Sequence, residues 1–209
     1  MAANTCGGSQ VDKEIIRDGY NRIAQAYAAQ RDHFKNLPYL QRLLDLLHPG
    51  AAILDLGCGS GVPVDAFLVE HGFSVTGLDV AEQQIELARQ QVPRATYLVQ
   101  DMAALEPGAF QVDAVVSFYA IFHMPREAHA DLFRTLRSFL PEQGLLLVTM
   151  GSDDWEGTDD DFHGVTMAWS HYAPETNRRI IEAAGFEVVL DEIDTSGDER
   201  HQVIMARAI

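Results

Sequence analysis

At 209 residues the chain is long enough for one substantial core, and its 15 basic against 31 acidic side chains leave a formal charge of -16, a surface that repels a phosphate backbone. Nucleic acid is therefore excluded as the expected partner. No apolar run reaches bilayer length, and the opening MAANTCGGSQVDKE lacks the basic start and apolar stretch of a signal peptide, so a soluble, cytoplasmic protein is expected. Two cysteines, Cys6 and Cys58, make neither a disulfide framework nor a zinc spacing, which fits a reducing compartment and predicts no metal.

The first element, residues 11 to about 32, repeats apolar side chains at spacings near three and four (Ile15, Ile16, Tyr20, Ile23, Tyr27), the period of an amphipathic helix. A second helix over 37–48 stops at His48-Pro49-Gly50. Strand-like and helix-like segments then alternate: strand 51–56, helix 62–71, strand 74–79, helix 81–91, strand 96–100, strand 112–118, helix 125–140 and strand 145–150. The runs AVVSF and LLLVT are apolar without alternation, as parallel strands covered on both faces require, so the class is α/β. A long polar loop is expected over 151–173, then a helix over 174–184. The last two strands, GFEVVLDEID and RHQVIMARA, are separated by TSGDE, too short for a crossover, and pair as an antiparallel hairpin.

Between the first strand and its helix stands AAILDLGCGSGVPV, with three glycines in five positions. Such a cluster marks a sharp turn or a close approach to the backbone, here at the carboxyl edge of an open sheet, where ligands of doubly wound folds bind. A P-loop would need a lysine where Val62 and Pro63 stand, and the dinucleotide fingerprint would place its third glycine at Val62 rather than at Gly61.

The run Asp55-Leu56-Gly57-Cys58-Gly59-Ser60-Gly61, with Asp79 at the end of the next strand, resembles the first two motifs of class I S-adenosylmethionine-dependent methyltransferases. The resemblance runs in element order from residue 51 to 208. It implies a Rossmann-like doubly wound sheet of seven strands in the order 3-2-1-4-5-7-6, in one domain over 1–209, with residues 1–48 as covering helices and 151–173 as an acceptor-side lid. It further implies S-adenosyl-L-methionine as cofactor, with the glycine turn and Asp55 at its methionine part and Asp79, followed by Val80, at the ribose. A carboxylate is a pure acceptor with room for paired hydroxyls, which agrees with that role. YLVQDM maps the adenine contact onto Asp101 and Met102, and Ser117 and Phe118 end the strand that resembles the fourth motif. Tyr20 and Tyr27 resemble the aromatic face of the covering helix, or pack in the core. Cys58 reads as a small residue filling a tight turn.

Methyl transfer is an in-line displacement that needs alignment and, where the acceptor sheds a proton, a base. His123, after the fourth strand, is the candidate base; Tyr119, His123, Trp155, His163, Trp169 and Tyr172 are candidate acceptor contacts, with His171 a further histidine in the same segment. The six acids between Asp153 and Asp161 lack the alternation of a calcium loop and read as a solvated lid, with attraction of a cationic acceptor as a second possibility. The expected activity is methyl transfer to an oxygen or nitrogen of a small molecule. Two alternatives stand beside it: a nicotinamide-dependent oxidoreductase, and a module that binds the cofactor without transferring its methyl.

Overall fold

The computed structural model describes residues 11–29, 36–196 and 200–209; Cys6, the end of the expected first helix and part of the TSGDE connection lie outside them. Seven strands form one sheet: β1 (Ala52–Leu56), β2 (Ser74–Asp79), β3 (Thr96–Val99), β4 (Ala114–Ser117), β5 (Leu145–Gly151), and the last two of the chain, β8 (Phe186–Asp194) and β9 (His201–Ala208). Their order is β3-β2-β1-β4-β5-β9-β8. The first five strands pair in parallel and β9 runs antiparallel to both β5 and β8, which is the expected seven-strand order.

Side chains alternate across β1. Leu54 and Leu56 join Val115, Leu146 and Val148 in one core with Phe133 and Leu136 of α5 (His129–Arg137) and Ile181 of α6 (Pro174–Ala183). Ile53 points the other way, into a core with Val116 and Leu147, closed by Leu40 and Leu43 of α2 (Leu37–Leu44), Leu68 of α3 (Val64–Glu70) and Ile85 of α4 (Glu82–Gln91). The central strands are thus dry on both faces, which is why their sequences do not alternate. The helix expected over 125–140 is shorter, because the chain first makes a 3-10 turn at Arg126–Ala128, with the Ala128 N–H bonded to the Pro125 carbonyl at 2.9 Å.

The segment expected as a long loop is instead a β-hairpin, β6 (Trp155–Phe162) and β7 (Val165–His171), forming a separate two-stranded sheet. Its turn residues His163 and Gly164 have φ of 52° and 81°, the pair of positive values a two-residue hairpin turn needs. The acid run hid β6, whose charged residues are mostly exposed, but β7 packs Val165, Met167 and Ala168 against Val11, Ile16 and Ile23 beside α1 (Lys13–Ala29) in a third core. Gly19 permits the approach: a Cβ there would stand 2.9 Å from Met167 Cε and 3.3 Å from the Thr166 carbonyl. This small core joins α1 to the hairpin above the carboxyl edge of the sheet. No helix among the described residues is long and apolar enough to cross a membrane.

Candidate active site

β1 and β2 end side by side, with Leu56 opposite Leu78, and the glycine turn bends over the end of β2. Gly57, Gly59 and Gly61 have φ of 72°, 54° and 75°, a region that side chains with a Cβ rarely adopt. The N–H groups of Gly57 and Cys58 both reach the Leu78 carbonyl, at 2.7 and 2.9 Å, and that of Gly61 reaches the Cys58 carbonyl at 3.0 Å. The Gly59 N–H donates to Asp79 Oδ2 at 2.9 Å, and Asp79 Oδ1 accepts from the Ala81 N–H at 2.9 Å. These four turn donors are therefore committed inside the protein. The turn offers a ligand bare backbone and close approach, rather than those N–H groups as a ready anion cradle.

Beside the turn lies a cleft of about 560 Å³, within the usual range for small-molecule sites. Gly57, Gly59, Asp79, Val80, Gln100, Asp101 and Met102 are part of its lining. Asp101 Oδ1 accepts from the Ala103 N–H at 2.8 Å, while Oδ2 faces Lys13 Nζ of α1 at 3.5 Å. An apolar and aromatic part of the lining comes from Phe118, Tyr119, His123 and Met124 on the sheet side and from Tyr20 and Tyr27 on α1. Tyr119 holds φ of 59°, fixed by its N–H on Thr149 Oγ1 at 2.6 Å and its hydroxyl on Asn36 Oδ1 at 2.7 Å. A non-glycine residue in that region stores strain, and here it turns the chain from β4 across the cleft.

Several sequence-selected residues do not line the cleft. Asp55 is 3% exposed and sits behind the turn, beside Asp65, whose carboxyl burial, and secondly Asp55, pushes well above the usual range. Cys58 is buried among apolar neighbours, and burial followed by Asp65 and Asp79 pushes its thiol up, which suits a space-filler and not a nucleophile. Gly61 abuts the Tyr97 ring, and Ser117 donates its hydroxyl to the Leu56 carbonyl at 2.8 Å, tying β4 to β1. Of the proposed acceptor contacts, His163 is exposed at the hairpin tip, Trp155 is 40% exposed on β6, and Tyr172 lies under the Arg126 guanidinium, 5.0 Å from its ring centre. Trp169 acts at one remove, packing on the His123 ring at 5.4 Å, and His171 bonds the Asp153 carbonyl.

Lys13, Gln84, Gln100 and Ala120, which also line the cleft, were not selected from the sequence. Adjacency to Asp101 was a signal for Gln100. Lys13 had none, because its place depends on how α1 docks.

His123 is held at both ring nitrogens: Nε2 meets the Tyr20 hydroxyl at 2.9 Å and Nδ1 the Ala168 carbonyl at 2.8 Å. Burial lowers its pKa to about 4, and that of His129, buried with Nε2 on the Ile121 carbonyl, to about 4 as well. Between these values and the ordinary 6.5, the unfolded chain binds the protons that the folded one refuses. Acidification through that window should therefore destabilise the fold by up to about 1.4 kcal/mol per pH unit for each histidine, with no further loss from them below it. Urea unfolding followed from neutral pH down to 5 should show the decline, and His129→Asn should make it shallower; an unchanged slope in the variant would assign the decline to other groups.

Comparison with known proteins comes to the same part of the chain. Residues 53–144 match the family model for a methyltransferase domain. The chain is 34% identical over 122 residues to a 2-methyl-6-phytyl-1,4-hydroquinone methyltransferase of Synechocystis sp., covering 56% of this chain but only 36% of that protein. It is 28% identical to YqeM of Bacillus subtilis, over 88% of this chain and 78% of the relative. Among solved structures, the 1,6-didemethyltoxoflavin-N1-methyltransferase of Burkholderia thailandensis, with bound 1,6-didemethyltoxoflavin and S-adenosylhomocysteine, superposes with a TM-score of 0.74 at 17% identity, covering 100% of this chain and 93% of that one. At that identity the likeness speaks for the fold.

Proposed function

We infer that this chain, a class I S-adenosylmethionine-dependent methyltransferase by its domain match over residues 53–144 and its sheet order, transfers the methyl group to an oxygen or nitrogen of a small molecule. The observation that carries the reading is Asp79: its carboxylate stands on the cleft wall, hydrogen-bonded to the glycine turn one strand away. Each of its oxygens accepts one backbone N–H, and a carboxylate is a pure acceptor whose chemistry suits the paired hydroxyls of a ribose. With the ribose there, the adenine lies toward Val80, Asp101 and Met102, and the methionine part runs along Gly57 and Gly59. The sulfonium methyl then faces the aromatic lining.

That lining favours an uncharged acceptor. Lys13 is the one lysine or arginine among the described residues lining the cleft, and it faces Asp101. Arg126, next to Pro125 of the lining, is engaged with Asp154 at 2.8 Å and with Glu156 at 3.8 Å. Among the described residues lining the cleft, a carboxylate or phosphate on the acceptor would find no counter-ion beyond Lys13. Small acceptors also fit the relatives, whose names refer to a hydroquinone and to didemethyltoxoflavin. The protein's share in the chemistry is alignment and exclusion of water, for which α1 and the β6-β7 hairpin serve as the cover.

Calorimetric titration with S-adenosylmethionine should give saturable heat; its absence would end the reading. Labelled cofactor offered with neutral hydroxyl and amine acceptors, and with carboxylate-bearing analogues, should then give product with the neutral ones, identified by mass.

A further inference from the structure

We propose that Tyr20 is the group that takes the acceptor's proton, and that His123 receives Tyr20's own proton in the same step. The proposal rests on reading the cleft as the methyl-transfer site, and it reverses the role that the sequence suggests for His123. The two residues are 103 positions apart and meet because α1 docks on the hairpin, with Tyr20 Oη 2.9 Å from His123 Nε2. The direction of that bond is fixed by the other nitrogen. Nδ1 lies 2.8 Å from the Ala168 carbonyl, which can only accept, so Nδ1 carries the hydrogen and Nε2 of the neutral ring accepts from the Tyr20 hydroxyl. His123 thus has no lone pair left for an acceptor. A phenol oxygen that donates its hydrogen keeps lone pairs that accept, and Tyr20 is on the cleft wall.

The pair is held in place by packing. The Tyr20 ring stands edge-on to Tyr27 at 5.3 Å and to Phe162 at 6.3 Å, and the His123 ring packs against Phe122 at 5.1 Å as well as Trp169. The titratable groups around it are Tyr27 on α1, His171 on β7, His201 on β9, both packed on Phe122, and His129 on the Ile121 carbonyl; Arg126 is paired with Asp154 and Glu156.

In the step, a lone pair of the acceptor oxygen or nitrogen forms a bond to the methyl carbon, and the carbon–sulfur bond breaks with its electron pair going to sulfur. The acceptor's proton moves to Tyr20 Oη while the Tyr20 proton moves to Nε2. The positive charge that left the sulfonium ends on the imidazolium, which later loses its proton to solvent. A buried imidazole with a pKa of about 4 is too weak to strip a resting hydroxyl. It suffices for a proton made strongly acidic as the new bond forms, so the proton moves together with the methyl in one step instead of ahead of it.

The test uses the full chain with labelled S-adenosylmethionine and two acceptor probes, methylhydroquinone and aniline. Tyr20→Phe keeps the ring and removes only Oη. It should bind the cofactor within about threefold of wild type by calorimetry, keep KM for the probe, and lose about 100-fold or more in kcat. His123→Gln, which can still accept the Tyr20 hydrogen bond but cannot carry the proton away, should lose a similar factor, and the double variant should lose little more. Wild-type kcat should be level from about pH 6 to about 8, without the limb of an ordinary histidine. A Tyr20→Phe kcat within about threefold of wild type, or additive losses in the double variant, would overturn the relay. Absence of cofactor heat in the wild type would instead remove the site itself.

Discussion

Asp79→Ala should weaken S-adenosylmethionine binding by at least about 100-fold, the largest loss expected from any single side chain on the cleft wall. Two effects add. A hydrogen bond to a charged group contributes about 1.5–3 kcal/mol, and a ribose offers two hydroxyls to this carboxylate. The same carboxylate also ties the turn to β2, through the Gly59 N–H on Oδ2 and the Ala81 N–H on Oδ1, both at 2.9 Å. Removing it frees two backbone donors and lets the turn drift from the sugar. Asp79→Asn should recover little, because its amide nitrogen would face one of those N–H groups, donor against donor. Calorimetry on the folded variants decides the matter: an unchanged dissociation constant for Asp79→Ala would mean that the ribose lies elsewhere.

The part of this architecture that local pattern determines was readable from the sequence. Continuous apolar runs mark buried parallel strands, five residues between the last two strands force an antiparallel return, and glycines crowd where the chain must turn with positive φ. What was not readable depends on contacts between distant segments. The β6-β7 hairpin escaped because charges on its exposed strand mask the pattern, though His163-Gly164 between Phe162 and Val165 was a usable turn signal. Tyr20 and His123 could each be picked out, but only the docking of α1 on β7 shows that they bond to each other. Asp55 shows the opposite case. Its place at a strand tip suggested the cofactor, yet alternation along β1 sends it behind the turn, next to Asp65. The same difference applies to the aromatic segment 155–172: it folds as the β6-β7 hairpin, and Trp169 packs on His123 without lining the cleft.

Gly57→Ala should abolish measurable cofactor binding and lower the unfolding temperature. At φ of 72° an alanine bears left-handed strain of about 1–2 kcal/mol. Its methyl group would also collide with Ala120 Cβ, an atom rooted in the backbone that crosses the cleft after β4. No rotamer relieves such a clash, so either the glycine turn or the Ala120 segment must move, and overpacking of this kind adds about 1–3 kcal/mol. Both segments line the cleft, which ties the stability loss to the binding loss. The two causes can be separated. Gly50 has φ of 76° with nothing within 4 Å of an added Cβ, so Gly50→Ala carries the strain alone and should leave binding intact. Ala120→Gly placed in the Gly57→Ala background removes the collision and leaves the strain, and should restore most of the binding. If the double variant binds no better than Gly57→Ala, the close approach of Gly57 to Ala120 is not what shapes this part of the cleft.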